Sequence, residues 1–344
     1  MHFFIDESGT FTHRTDADAL ISTVGILVVP STNMVRFERL FRRHRQNLPK
    51  LRGEVKGKTL TERQVSSTID VLRKTGCLFF SSAIDLSLHS LEELESHRSG
   101  QAKGITIHLS KKHHPRMIED LWKLRHQVEI MSMPQYVQLA TLNDAIVRTL
   151  NLSTNYFAFH RPRELSEYHW AIDGKNKQKA TNWEIFWHKT VMPMIQSRSL
   201  RSESFFKIEG GNYSFQKHLE SELPKYLKAH AQKQSRGEAV LLRPIFTEDL
   251  RFSSEPEPGL EAVDILTNGI RRALVGNLRK SGWGPLPSLM VDWGRGECCI
   301  GLPHLGRNAV EIDHQKYSSV LRHFMIGGRK FLPANYFSKH SDAN

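Results

Sequence analysis

Cysteine is scarce in this sequence, and its placement argues against several kinds of site. The chain of 344 residues contains three cysteines, Cys77, Cys298 and Cys299. They form neither a CxxC motif nor a Cys/His pattern with zinc-ligand spacing, so we expect no disulfide framework and no structural zinc site. The adjacent Cys298 and Cys299 are more typical of small buried apolar residues than of a redox pair. This usage favours a reducing compartment, and we expect a cytoplasmic protein.

Long apolar segments are missing as well. The sequence contains no uninterrupted apolar run of about 18 residues, the length that spans a bilayer, and it does not open with a charged-then-apolar leader. It also lacks a G-x-S-x-G motif, which argues against a serine hydrolase. We therefore expect no membrane partner.

Basic residues are what the sequence has in excess. Lys and Arg outnumber Asp and Glu by 48 to 36, which gives a formal net charge of +12. Such an excess favours an anionic partner, with nucleic acid as the first candidate and an acidic membrane surface as the second. General basicity without a specific partner is the alternative.

The opening stretch, Phe3 to Gly9, places two carboxylates at the end of a predicted strand. Its sequence is F-F-I-D-E-S-G. The aromatic and β-branched first half predicts a buried strand, and the Ser-Gly pair predicts the turn that ends it. Burial of Asp6 or Glu7 would raise its pKa or require a partner cation. Mg²⁺ or Mn²⁺ would suit the site because both prefer oxygen ligands, and a solvated turn is the alternative.

The opening pattern recurs once, and a second strand follows the first closely. Residues Tyr168 to Gly174 again place an acid, Asp173, between an apolar strand and a glycine turn. Residues Ile21 to Val29 predict a strand ended by a proline, and we expect it to form a hairpin with the first strand. A later apolar run, Ala239 to Phe246, predicts an edge strand because it contains Pro244.

The segment Gly53 to Thr59 has a superficial likeness to a phosphate-binding loop. A Walker A motif needs four residues between its first glycine and its Gly-Lys pair, whereas this segment has three, and no apolar strand precedes it. We therefore do not expect a P-loop. What remains is a glycine-hinged loop in which an acid, Glu54, is followed by Lys56 and Lys58.

A late helix carries the last pair of acids. The segment Leu260 to Val275 has helical periodicity, and Glu261 and Asp264 are three residues apart, so they lie side by side on one face. Acids near a helix N-terminus are also common because they stabilise the helix dipole. Metal binding and ordinary capping both remain open for this pair.

Three of these motifs together resemble a known family. The opening F-I-D-E-S-G, the G-E-V-K-G-K-T-L block and the late P-G-L-E-A-V-D-I-L helix resemble the bacterial and phage family called domain of unknown function 3800, which resembles RNase H-like proteins in fold. The similarity covers Met1 to Gly276. The residues that match the family's motif positions are Asp6, Glu7, Glu54, Lys56, Asp173 and Asp264. Glu261 stands where the family usually has Gln, and this extra carboxylate could bind metal or raise a neighbour's pKa.

The resemblance implies an α/β fold, with an RNase H-like mixed sheet flanked by helices over residues 1–280. Within that domain, residues 115–150 have the periodicity of amphipathic helices and predict a helical layer or insertion. From residue 281 the sequence becomes rich in Gly and Pro, so we expect residues 281–344 to form a C-terminal extension packed on the domain.

The resemblance and the basic excess together predict a metal-dependent nuclease. Two divalent ions about 3.5–4 Å apart, held by carboxylates from separate elements, can support phosphodiester cleavage of RNA or DNA. Mg²⁺ or Mn²⁺ would be the cofactor, and the family's bacterial and phage setting suggests a role in defence. The predicted roles are a metal bridge for Asp6, and further metal ligands for Glu54, Asp173, Asp264 and Glu261. Lys56 is predicted to contact phosphate or stabilise the transition state, and Glu7 is predicted to be a catalytic residue. The alternatives are a catalytically inactive nucleic-acid-binding module and an interaction protein whose acids only cap helices and turns.

Overall fold

A mixed sheet forms the centre of the molecule. The computed structural model describes residues 1–13, 20–107, 109–111, 113–174, 185–195, 206–220, 239–240, 242–292, 298–306, 317–334 and 336. In chain order, the strands are β1 (His2–Ser8), β2 (Ile21–Val29), β3 (Leu78–Asp85), β4 (His169–Asp173), β5 (Leu219–Glu220), β6 (Ala239–Val240), β7 (Leu250–Ser253), β8 (Val291–Asp292), β9 (Ile300–Gly301) and β10 (Arg329–Lys330).

Six of these strands form the main sheet, in the order β7–β4–β1–β2–β3–β9. The first three strands form an antiparallel meander, whereas β4 pairs parallel to β1 and β7 pairs parallel to β4. Ile5 of β1 lies opposite Ile26 of β2 on one side and Ile172 of β4 on the other. The predicted hairpin of the first two strands and the predicted mixed sheet are therefore confirmed.

Helices flank the sheet, as predicted. They are α1 (Met34–Arg45), α2 (Glu62–Arg73), α3 (Leu91–Thr106), α4 (Pro115–Glu129), α5 (Met133–His160), α6 (Leu242–Thr247), α7 (Pro258–Val275), α8 (Lys280–Trp283) and α9 (Ser318–Ile326). Shorter turns are 3-10 at Ser31–Asn33, Gly57–Thr59, Leu86–Leu88, Pro162–Ser166 and Leu286–Leu289, and π-helical at Trp187–Val191. Within the described ranges, no helix combines the length and the apolarity needed to cross a membrane.

Each face of the sheet has its own core, because side chains alternate along a strand. On one face, Phe3 and Ile5 pack with buried residues of α3, α4 and α5, so residues 115–150 form a layer over the sheet. On the other face, Phe4 and Leu27 pack with buried residues of α1, α2 and α7. Helix α7 approaches this face closely, since a Cβ at Gly25 would lie 2.0 Å from Thr267 Oγ1.

The Gly- and Pro-rich C-terminal segment contributes a strand to the sheet and side chains to the core. Strand β9 pairs parallel to β3, with Ile300 opposite Ser81. Trp283 and Phe324 stack with ring centroids 5.8 Å apart, and both are buried in the core beneath α2 and α7. The end of the segment, residues 337–344, lies outside the described residues.

The predicted edge strand over Ala239 to Phe246 is wrong for most of its length. Only Ala239–Val240 forms a strand, and Leu242–Thr247 forms a helix. Pro244 is tolerated there because it lies in the first helical turn, where backbone N–H groups have no intrahelical partner. A short apolar run does not distinguish a strand from a buried helix by itself.

Candidate functional site

The C-terminal end of β1 presents Asp6 to helix α7. Strand alternation places Asp6 on the same face as Phe4, which packs in the core beneath α7, and Ser8. The Ser8 hydroxyl donates a 3.0 Å hydrogen bond to Asn268 Oδ1 of that helix. The Asp6 carboxylate is partly buried, and its Oδ2 is a buried atom without a hydrogen-bond partner. Asp6 therefore has an unsatisfied acceptor directed at the sheet–helix junction.

Glu7 lies on the opposite face of the sheet from Asp6. Its partner in the register is Val24 of β2, whose side chain belongs to the core beneath α3, α4 and α5. The alternation that brings Asp6 to α7 therefore carries Glu7 away from that helix. Glu7 acts on the site through its charge, which contributes to the raised pKa of Asp6.

Strand β4 brings Asp173 to the same end of the sheet as Asp6. The strand runs parallel to β1, and Ile172 lies opposite Ile5, so Asp173 and Asp6 are neighbours near the C-terminal ends of the two strands. Asp173 keeps solvent access. Partial burial raises the pKa of Asp173, with further increases from Glu54 and other acids, while Lys56 opposes them. The two recurring strand–acid–glycine patterns of the sequence thus meet at one sheet edge.

Helix α7 supplies the third acid, Asp264. The Gly57 backbone N–H donates a 2.5 Å hydrogen bond to Asp264 Oδ2, and the Asn268 side chain donates a 3.0 Å bond to Oδ1. The Asp264 carboxyl also lies close enough to Asp6 for their charges to interact. Burial raises the pKa of Asp264, although the Gly57 N–H and the Lys56 charge lower it. Asp264 is therefore held by two donors, one on each carboxylate oxygen.

The electrostatics of Asp6 follow from this gathering of acids. Burial raises the pKa of Asp6 well above its usual value, and the charges of Asp264, Glu7 and Asp173 raise it further. Two buried carboxylates beside each other repel, so the Asp6–Asp264 pair favours a form in which it holds a proton. A cation bound at the pair would replace that proton.

The loop before α2 brings a counter-charge to the acids. Lys56 Nζ lies 2.7 Å from Glu54 Oε2, and its charge acts on both Asp264 and Asp173. Burial lowers the pKa of Lys56, but the hydrogen bond to Glu54 and the neighbouring acids outweigh burial, and the pKa is raised. Lys56 therefore stays charged beside the cluster. The same loop lines an open cleft of about 540 Å³, which is bordered by Leu51, Arg52, Glu54, Lys56 and Lys58.

Glu261 occupies a different environment from Asp264. Arg45 of α1 donates to both of its carboxylate oxygens, from Nε to Oε2 and from Nη2 to Oε1 over 2.7 Å. The Val55 backbone N–H donates a 2.9 Å bond to Oε1. Because both oxygens are engaged away from Asp6, we leave Glu261 out of the proposed metal-ligand set. It ties α7 to α1 and to the loop.

Three residues of the site were not singled out by the sequence. Asn268 and Arg45 orient the acids or their loop, and Gly57 lets the loop backbone reach α7. A Cβ at Gly57 would lie 2.8 Å from both the Asp264 carbonyl oxygen and Ile265 Cα. The spacing of Asn268 from Asp264, one helical turn on the same face, is the one local signal that could have identified a site residue.

The donor chemistry at the edge suits a hard divalent cation. The converging side chains are carboxylates from separate elements, which is the ligand type preferred by Mg²⁺ and Mn²⁺. The buried, unpartnered Oδ2 of Asp6 provides a lone pair for such an ion. Among the residues that the structure describes, however, no three His, Cys, Asp or Glu side chains are already arranged as a closed metal-binding group. The residues fit the ion in chemistry, and side-chain rotation would be needed to close the site.

Comparisons of this chain with protein-family models, with curated proteins and with solved structures gave no match. The function is therefore inferred from the geometry and chemistry of the site itself.

Proposed function

We propose that the protein is a divalent-metal-dependent nuclease with an RNase H-like fold, related to the family called domain of unknown function 3800. The observation that carries the proposal is the convergence of Asp6, Asp173 and Asp264, which come from two parallel strands and a distant helix. Burying like charges together is costly unless the acids share protons or a cation. A cluster of this kind is typical of functional sites.

The sheet supports the fold part of the proposal. An antiparallel meander is extended by two parallel strands, and helices cover both faces. The candidate site lies where the two parallel neighbours β1 and β4 end. Ligand sites of open α/β sheets commonly lie at the carboxyl ends of strands.

Asp6, Asp173 and Asp264 are the residues that would hold Mg²⁺ or Mn²⁺. When bound, such an ion supplies Lewis-acid charge at a phosphoryl oxygen and makes water a better nucleophile. The Gly57 N–H and Asn268 orient Asp264, which keeps one of the three carboxylates fixed before substrate arrives. Pre-oriented carboxylates need not reorganise when substrate binds, which favours catalysis.

Lys56 provides the positive charge that the substrate phosphate would meet. The ion pair with Glu54 holds the ammonium beside Asp264 and Asp173. In the proposed complex, Lys56 donates to a non-bridging phosphate oxygen, where negative charge increases as the phosphodiester is attacked. Glu54 is thus a positioning residue for Lys56.

The test is cleavage of labelled RNA and DNA oligonucleotides by the wild type and by Asp6→Asn, with Mg²⁺ or Mn²⁺ or with excess chelator. We expect metal-dependent cleavage that falls more than about 100-fold in Asp6→Asn, because a metal-ligating oxygen is lost. The matched control is Asp70→Asn, since Asp70 pairs with Arg73 on the exposed surface of α2. Full activity of Asp6→Asn, or of the wild type in chelator, would refute the assignment.

A second function, a nucleic-acid-binding module without turnover, is favoured by one observation. No closed three-residue metal-binding group occurs within the described part of the chain. In that case, the basic surface binds nucleic acid, the wild type shows no cleavage, and Asp6→Asn binds as tightly as the wild type. Titration of Mn²⁺ followed by its electron paramagnetic resonance signal separates the two functions, since the nuclease requires binding that Asp6→Asn weakens.

A further inference from the structure

A tight turn projects from the loop beside the acids. Leu51 and Glu54 exchange backbone hydrogen bonds of 2.7 Å and 3.1 Å, which closes a two-residue turn. The two central residues, Arg52 and Gly53, have φ angles of 53° and 88°. Two consecutive residues with positive φ are the signature of a type I′ turn, which favours Asn, Asp or Gly at both positions.

Arginine at the first central position goes against this preference. A side chain with a Cβ is disfavoured in left-handed backbone, whereas Gly53 adopts it without strain. Side chains held in such conformations concentrate at functional sites. Turn stability therefore does not explain the choice of arginine at the tip of this turn.

The turn is fixed to the body of the protein on both sides. Arg45 Nη2 donates a 2.6 Å hydrogen bond to the Gly53 carbonyl oxygen, and the Val55 N–H donates to Glu261 Oε1. Arg45 and Glu261 form an ion pair in which the side chains are 23% and 5% exposed. Because this pair links α1 to α7, the direction of the turn is set by the same helix that carries Asp264.

The cleft beside the turn has unbalanced positive charge. It is lined by Arg52, Lys56 and Lys58 on the basic side and by one acid, Glu54. Glu54 is already paired with Lys56 at 2.7 Å. Arg52 and Lys58 are exposed, and neither forms an ion pair with another described residue. Two cations are thus available to a ligand in the cleft that Glu54 and Lys56 also line.

We propose that Arg52 and Lys58 bind the sugar–phosphate backbone of a nucleic-acid strand on one side of the acidic cluster. The proposal rests on the function proposed above and specifies its substrate as a strand that continues beyond the reacting phosphate. Arginine matches the geometry of a phosphate through paired N–H donors, and lysine adds a mobile point charge. Lys56 links the two sites, since it lines the cleft and its charge acts on Asp264 and Asp173.

The test measures binding of fluorescein-labelled RNA and DNA oligonucleotides by anisotropy in EDTA, between about 50 mM and 200 mM salt. The test variant combines Arg52→Asn with Lys58→Gln, because Asn tolerates the left-handed backbone and should keep the turn folded. The plot of log K against log salt has a negative slope, and each lost phosphate contact makes it shallower by about 0.7–0.9. We expect the magnitude of the slope to fall by about 1.5 and the affinity to fall about tenfold in the variant.

The matched control combines Lys103→Gln with Arg116→Gln. Both residues are exposed on helices α3 and α4, which cover the opposite face of the sheet. This control removes the same two charges, so it reports the effect of net charge alone. We expect its slope to equal that of the wild type, and thermal unfolding of both variants checks that they are folded.

Equal slope changes in the two variants would mean that net charge, not the cleft, controls binding, and this would overturn the proposal. An unchanged slope in the Arg52/Lys58 variant, or a wild type that binds no oligonucleotide, would overturn it as well. The outcomes are separable from those of the nuclease test, because binding in EDTA requires no turnover. Binding through the cleft without any cleavage would support the role of Arg52 and Lys58 and refute the nuclease function. Cleavage together with an unchanged salt slope in the Arg52/Lys58 variant would support the nuclease function and refute the role of the cleft.

Discussion

The backbone N–H of Gly57 donates a 2.5 Å hydrogen bond to the carboxylate of Asp264. The bond is possible because the loop backbone lies directly against α7, with room for a hydrogen atom but not for a Cβ. Through this contact, one glycine both orients an acid of the candidate site and fixes the loop that carries Glu54 and Lys56.

Replacement of Gly57 by Ala is expected to destabilise the protein and to disturb the site. The new Cβ would lie 2.8 Å from backbone atoms of Asp264 and Ile265, which cannot move independently of α7. Overpacking of this kind costs about 1–3 kcal/mol. The free energy of unfolding, measured by urea denaturation, should fall by that amount. The control is Gly100→Ala in helix α3, where a Cβ meets nothing within 4 Å; it should stabilise by about 0.5–1 kcal/mol. A neutral Gly57→Ala would contradict the close approach of loop and helix.

Asp6→Asn is expected to make the protein more stable in chelator while it removes the proposed activity. The raised pKa of Asp6 means that its ionised form is disfavoured in the folded state. An amide carries no charge and can donate to Asp264, so the free energy of unfolding at neutral pH should rise by about 1–2 kcal/mol. Thermal unfolding in EDTA measures the gain, and Asp70→Asn is the surface control. A lower melting temperature for Asp6→Asn would show that the acids do not repel one another.

The stability of the protein should decrease between pH 6.5 and pH 4 because of His2. Burial, with a contribution from His169, lowers the pKa of His2 to about 4, below its usual value of 6.5. In that window the unfolded chain binds more protons than the folded protein, so the free energy of unfolding increases with pH. His2 stacks on His169 at 4.4 Å, and His2→Phe retains a ring there without the titrating group.

The measurement is the melting temperature of the wild type and His2→Phe across that pH range. As the pH falls, we expect the melting temperature of the wild type to decrease more than that of His2→Phe. His126→Phe is the control, because His126 is exposed on α4. A difference that does not change with pH would contradict the assignment to His2.

Replacing Arg45 alone is expected to destabilise the protein more than replacing both members of the Arg45–Glu261 ion pair. Arg45→Met leaves Glu261 buried with one backbone N–H donor and no counter-charge. Breaking a buried pair costs about 3–5 kcal/mol, and partial exposure of Arg45 should reduce this to about 2–3 kcal/mol. The double variant with Glu261→Gln should recover at least half of the loss. Urea denaturation of the two single variants and the double variant gives the coupling energy between Arg45 and Glu261. Additive changes in the free energy of unfolding would contradict the predicted coupling.

The elements that could be predicted from the sequence are those with local signals. The strand Ile21–Val29 has an apolar run that ends at a proline, and the structure has the same bounds. The helix predicted over Leu260 to Val275 begins two residues earlier, at Pro258, because proline is suited to the first helical turn. The run from Ala239 to Phe246 lacked such a signal, since its apolar residues fit strand and helix alike.

The site itself could be predicted only in part. Asp6 and Asp173 share a recognisable pattern, but their adjacency depends on parallel pairing of β1 with β4, which no local pattern specifies. Glu7 and Asp6 are neighbours in sequence and lie on opposite faces of the sheet, a separation that strand alternation predicts once the strand is placed. The partnership of Glu261 with Arg45 is a long-range contact, and neither residue's surroundings in the sequence indicate it.

The central position of β1 between β2 and β4 determines when the acidic cluster can form. Asp6 is synthesised well before its neighbours Asp173 and Asp264, which lie much later in the chain. Contacts between such distant segments raise the contact order and slow folding. A nascent chain that stops before α7 therefore carries Asp6 and Asp173 without Asp264, and the pocket is completed only after α7 has been made.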